Sequence, residues 1–136
     1  MTAAVELRIP ADPAYVGLAR LVVARAARQA GVPQDRVQDV KIAVAEALAI
    51  AVRAQSAHDT PAPVDLSFGA TDQGFEVVMR APDAPAATDA PDEPGAALLE
   101  PGLSFTLIEG LTDGMTYESD GAVMCLRFVV SVGRQD

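Results

Sequence analysis

The chain has 136 residues, half of them hydrophobic, and carries 19 acidic side chains against 10 basic ones for a formal net charge of −9. Its length suits one domain spanning residues 1–136 with a core of its own, since about 150 residues bury roughly 68–70% of their unfolded-chain surface. With no basic cluster, direct nucleic-acid binding is disfavoured, because such binding rests on lysine and arginine neutralising phosphates. A membrane span is not expected either. The longest apolar run, Ile42 to Val52, is interrupted by Glu46 and falls well short of the about 20 residues a transmembrane helix requires. The N-terminus shows no basic region or cleavage signal, and the single cysteine, Cys125, can form no internal disulfide, so a cytoplasmic location is expected. The acidic surface suits a basic protein partner, although solubility alone explains it equally well.

Val5, Leu7 and Ile9 alternate with Glu6 and Arg8, the period of a strand with one wet face, and Pro10 ends it. Asp12-Pro13 reads as a helix N-cap with proline at the first helical position. From there Leu18, Leu21, Val22, Arg25, Ala26 and Gln29 predict an apolar stripe beside a polar face carrying Arg20, Arg25 and Arg28, until Gly31 closes the helix. A second helix opens at Val32-Pro33, with Asp35 near the positive end of its dipole. Its later part, Ile42 to Val52, is apolar nearly all round, the pattern of a helix buried on most faces. It fades at Gln55-Ser-Ala-His58, and Pro61 and Pro63 forbid its continuation.

Val64, Leu66 and Phe68, a Thr71–Gly74 turn, and Phe75, Val77 and Met79 then predict a hairpin. Residues 81–101 hold five prolines, five acidic residues and no basic one. Proline denies backbone donors and like charges repel, so a mobile loop is expected, of the kind that serves as a lid or stays disordered. Gly102 to Leu111 has helical spacing, and Met115–Tyr117 with Ala122–Val132 predicts a last hairpin about a Ser119–Gly121 turn. The expected order is β-α-α-β-β-α-β-β, without internal repeats.

Glu46 is the residue that calls for chemistry. It is the only ionisable group between Lys41 and Arg53, and a buried carboxylate either gains a proton or finds a partner. Such a group suits general-base work or a metal-bound water. The plainer alternative is that it reaches a polar edge or pairs with an arginine such as Arg53.

Ala45-Glu-Ala-Leu-Ala-Ile-Ala-Val-Arg53 resembles S-E-A-x-T-N-A-x-x-H, the N-box of the GHKL (histidine-kinase-like) ATPase family in its anti-sigma-factor serine-kinase branch. Pro101–Asp113 resembles that branch's G-x-G-F-T-I-x-E-x-x-x-D segment, and Leu18-Ala19-Arg20 its first-helix Phe/Leu-Ala-Arg. The resemblance implies an α+β fold of the Bergerat type, a two-layer sandwich with a mixed sheet packed on three helices and the 81–101 segment in the ATP-lid region. It implies Mg²⁺ and ATP as cofactors, Glu46 as general base, Gly102 and Thr106 in the nucleotide site, and Arg20 as a partner contact. It also implies pairing of protomers through the N-terminal strand and helix, and two kinds of partner: a sigma factor and an anti-anti-sigma protein of the STAS type.

The sequence departs from that pattern at the nucleotide positions. Ile50 stands where an asparagine oxygen would hold Mg²⁺, and it has no oxygen to give a hard cation. Ala81 replaces the adenine-binding aspartate, Asp83 and Pro85 replace two glycines that let backbone approach phosphate, and Ser104 replaces another. Ala54 replaces the N-box histidine, leaving His58 as the sole histidine. These changes converge on one pocket. They predict a vestigial site with no metal ligands, no cofactor and no kinase activity, and a protein-binding regulator. Two alternatives stand beside it: an active serine kinase using Asp83 or Asp89 as the missing ligand, and an interaction module of an unrelated pathway.

Overall fold

The computed structural model describes residues 4–55, 62–82, 101–120 and 122–132. Strand β1 (Val5–Pro10) leads through a 3-10 turn (Pro13–Tyr15) into helix α1 (Val16–Ala30), followed by α2 (Gln34–Gln55), β2 (Pro63–Thr71), β3 (Gly74–Pro82), α3 (Pro101–Leu111), β4 (Gly114–Ser119) and β5 (Val123–Val130). The elements therefore follow the expected order. Asp12 caps the 3-10 turn, its carboxylate accepting from the Ala14 N–H at 2.9 Å. At the other end of α1, Gly31 adopts φ 99° and the Val32 N–H donates to the Ala27 carbonyl at 3.0 Å. That αL closure turns the chain sharply into α2.

The five strands form one sheet in the order β1-β2-β3-β5-β4, with the helices on one face. Every neighbouring pair is antiparallel, so the sheet is not the mixed one expected. The connections explain this. The α1–α2 pair is a helical hairpin, which returns the chain to the sheet in the direction opposite to β1. The β3–α3–β4 crossover has a single helix and leaves β3 and β4 running the same way, but β5 lies between them.

Alternation along the strands sorts the sheet into an inner and an outer face. One inner row is Leu7, Leu66, Met79, Leu126 and Tyr117, each the register partner of the next. Phe68, Phe75 and Phe128 are at most 2% exposed and fill the space under α1 and α2. Each contributes roughly 2–3 kcal/mol by leaving water. The outer face is polar, with Arg8 making a bidentate pair to Asp65 at 2.7 and 3.2 Å and Arg127 paired with Glu76.

Three expectations need correction. The buried stripe of α1 is Ala19, Val23, Ala24 and Ala27, whereas Leu18 and Leu21 are 50% and 65% exposed. Small residues face the core because α1 packs closely on α2, and the larger leucines are turned outward. In α2 the run from Ile42 to Val52 is buried on most faces as expected, but Ile42 itself, at its start, is exposed. Finally, Ala81 and Pro82 belong to β3, and Pro101 belongs to α3. Ala81 pairs with Met124 and Pro82 with Val123, and a proline at a strand end gives up no interior ladder bond. The remainder of the expected loop, 83–100, lies outside the described residues, as does His58.

Arg36, in the first turn of α2, donates to Asp39 at 2.5 Å, to Asp113 at 3.0 Å and to the Leu111 carbonyl at 3.3 Å. Asp113 also accepts from the Ser131 N–H at 2.8 Å. One guanidinium thus ties α2 to the end of α3, and one carboxylate ties that junction to the strand leaving the sheet. The Ser131 N–H first, and Arg36 with it, hold the Asp113 carboxyl below its ordinary value of 3.8. A depressed folded pKa gives stabilisation that is complete above the unfolded value and lost as pH falls through the lower folded one. Acid titration of stability should therefore be shallower in Asp113→Asn than in wild type below about pH 4, as read by urea midpoints at stepped pH.

Candidate functional site

The site begins with helix geometry. Val37, Val40, Val44, Leu48, Ala51 and Gln55 line the core side of α2. Glu46 lies half-buried on the flank that meets α3. Across from it, Ser104 is 3% exposed. The Ser104 hydroxyl donates to Glu46 Oε1 at 2.8 Å and accepts from an Arg53 guanidinium N–H at 3.2 Å. A hydrogen bond to a carboxylate contributes about 1.5–3 kcal/mol, more than a neutral one. Glu46 and Arg53 do meet at one place, as the plainer reading of the sequence anticipates, but the contact runs through a serine hydroxyl.

The structure brings some expected site residues together and separates others. Ile50 is 4% exposed and belongs to the hydrophobic core. Ala81 is 3% exposed, also in the core. Neither has a polar atom in its side chain, so neither can ligate a cation or accept a hydrogen bond from a base. Gly102 is the second residue of α3. Thr106 is exposed and lies about 200° around the helix from Ser104. Asp83, Pro85 and Asp89 lie outside the described residues. Ala54, at the histidine position of the motif, packs against the core.

The sequence marks Gln55 only as the fading end of α2, yet it is 3% exposed. Its amide donates to the Pro82 carbonyl at 3.0 Å, and its oxygen accepts from the Ala62 N–H at 3.1 Å. One side chain therefore joins the end of α2 to the end of β3 and the entry to β2. A signal for this is present: Leu48, Ala51 and Gln55 share one face at helical spacing, so a polar residue there has to be buried and bonded.

Arg20 sits on α1, the helix that also carries the exposed Leu18 and Leu21. It is partly buried, and its Nε makes no hydrogen bond among the described residues. A buried donor without a partner costs about 1–3 kcal/mol. Among the described residues, no helix is long and apolar enough to cross a membrane.

The family model of the histidine kinase-like ATPase domain matches residues 9–130. The serine-protein kinase RsbW of Bacillus velezensis is 30% identical over 128 residues, covering 88% of this chain and 80% of that protein. Among solved structures, the RsbU and RsbW domains of a Mycobacterium tuberculosis protein superpose with a TM-score of 0.75 at 11% identity, over 98% of this chain and 34% of that one. This chain thus spans about a third of that longer protein. The SiaB–SiaC complex of Pseudomonas aeruginosa gives a TM-score of 0.66 at 11% identity, covering 93% of this chain and 88% of the other. The two solved structures share the fold, and the match over residues 9–130 together with the RsbW relative carries the relationship in sequence: the chain belongs to the histidine kinase-like ATPase domain family, in its branch of anti-sigma-factor serine kinases.

Proposed function

We propose that this protein is a protein-binding regulator of the anti-sigma type that acts in the cytoplasm without nucleotide, Mg²⁺ or kinase activity. Its partners would be a sigma factor, a STAS-domain anti-anti-sigma protein, or both. The observation that carries the reading is the burial of Ile50 and Ala81 in the apolar core, where the resemblance calls for a metal-binding oxygen and a base-binding carboxylate. The residues present do not fit Mg·ATP. Glu46 is then a vestigial general base, its carboxylate engaged by Ser104, and Gly102 and Thr106 are remnants of a nucleotide site.

Arg20 supports the partner-binding half. A partly exposed guanidinium, on the helix that also presents Leu18 and Leu21 to solvent, offers a forked set of donors to a carboxylate on another protein. Exposed Val5, Leu18 and Leu21 would also suit a second copy of the chain, in line with the pairing the resemblance implies. Direct nucleic-acid binding has no support in the charge balance.

The active-kinase reading draws on two facts: Glu46 is present and bonded to a hydroxyl, and the RsbW relative is a serine-protein kinase. Calorimetric titration with Mg·ATP separates the two readings. No heat of binding is expected up to millimolar nucleotide, and micromolar affinity, or phosphate transfer to a STAS protein, would establish the kinase instead. Capture from native cells should recover a sigma factor or a STAS protein with wild type and about tenfold less with Arg20→Ala, since a buried charged contact contributes at least about 1.4 kcal/mol. Recovery of neither partner would place the chain in an unrelated pathway.

A further inference from the structure

The apolar hold on helix α3 comes from buried Ile108 and from half-buried Phe105, whose ring lies 4.7 Å from that of Tyr117. Of its described side chains only Ser104 and Ile108 are buried, while Leu103 and Leu107 are 60% and 40% exposed. Polar contacts from α2 hold it at both ends. Arg36, in the first turn of α2, reaches the Leu111 carbonyl at the C-terminal end of α3. Arg53, in the last turn of α2, reaches Ser104 near its N-terminal end, and Glu46 takes the Ser104 proton donor at 2.8 Å. The two helices run antiparallel, and an arginine clamps each end.

The geometry points to Ser104 as a built-in latch that keeps α3 closed on α2 with no ligand bound, and as a positioning residue that keeps the Glu46 carboxylate occupied. The glycine that the family pattern calls for at 104 has no side chain and could not make either bond. Serine supplies one donor and two acceptor lone pairs. It therefore gives Glu46 and Arg53 one bond each from a position too buried for bulk water to do so. Gln55 closes the neighbouring end of α2 in the same manner, using its own amide on the Pro82 carbonyl and the Ala62 N–H. Glu46 Oε1, the Ser104 hydroxyl and the Gln55 amide are thus all engaged by the chain itself. The functional meaning of the latch rests on the reading of this cleft as one that no longer takes nucleotide, whereas the latch itself does not.

Hydrogen exchange followed by mass spectrometry on the full chain tests it. Ser104→Ala removes the hydroxyl and keeps a strong helix former, so the expected result is a rise of about tenfold or more in exchange at amides 105–111, from the loss of both the Glu46 and the Arg53 bonds. Peptides from β2, β3 and β5 should stay close to wild type. Glu46→Gln retains an oxygen that can accept from Ser104 and should leave α3 exchange much nearer wild type than Ser104→Ala does. Unchanged α3 exchange in Ser104→Ala would overturn the latch, as would an equal rise across the sheet, which would make Ser104 only a core residue. Added Mg·ATP should leave wild-type exchange unaltered. Protection of α3 by nucleotide would instead overturn the functional reading while the Ser104→Ala comparison still judged the latch.

Discussion

Gly74→Ala should destabilise the fold by about 3 kcal/mol, lowering the melting temperature by roughly 10 °C. Gly74 opens β3 with φ 137°, a conformation that L side chains rarely adopt. A methyl group there would lie 2.4 Å from the Val130 carbonyl oxygen and 3.0 Å from the Ser131 Cα. Both are backbone atoms of the adjoining central strand and its exit, so no side-chain rotation relieves the clash. The hairpin turn would have to open, and with it the Thr71 Oγ1 bonds to the Gln73 N–H and the Gly74 carbonyl. Gly17 and Gly110 supply the control. Each lies in a helix with nothing within 4 Å of the place a methyl would take, and alanine there should raise stability by about 0.5–1 kcal/mol through lower unfolded-state entropy. Urea unfolding of the three variants checks all of this. A Gly74→Ala protein as stable as wild type would mean that the β3–β5 junction is much looser than its register indicates.

The element order is readable in the sequence because each boundary carries its own chemistry: Asp12-Pro13, Gly31, Pro61 and the Thr71–Gly74 turn are local signals acting on local backbone. The α1 stripe misleads for an equally physical reason. Hydrophobicity ranks Leu18 and Leu21 above alanine, but a close helix–helix approach selects for small volume, and Ala19, Ala24 and Ala27 win the interior. The strand pairing is less accessible still, because insertion of β5 between β3 and β4 depends on long-range packing. The site divides the same way. Glu46 stands out as a lone charge in an apolar run, and Ser104 as a departure from a pattern. Their bond spans 58 residues of chain, and no periodicity reports a contact across that distance. Gln55 is visible as a polar residue on a buried face, but its partners at Ala62 and Pro82 follow only from how α2, β2 and β3 converge.

Ile50→Asn, which supplies the oxygen that the family pattern calls for at that position, should cost the chain about 3–6 kcal/mol and confer no Mg·ATP binding. Ile50 is 4% exposed and packs within the core cluster. The change gives up most of an isoleucine's burial, about 2–3 kcal/mol, and places an amide where donors and acceptors are scarce, a further cost of about 1–3 kcal/mol. A domain of ordinary stability has about 5–15 kcal/mol in all, so the variant should unfold at markedly lower urea. Ile50→Val, which changes volume without adding polarity, should cost only about 0.5–1.5 kcal/mol. The gap between the two variants isolates the polar term. Binding should not appear because Ala81 still offers nothing to a base and Ser104 still occupies Glu46. If Ile50→Asn were as stable as Ile50→Val, the amide would have found partners, and position 50 would border a polar cavity able to receive a ligand. Calorimetry with Mg·ATP on that variant then becomes decisive: a measurable affinity from this one change would show that the site lacks a single ligand, and that the kinase reading describes the chain better than the regulator that binds without nucleotide.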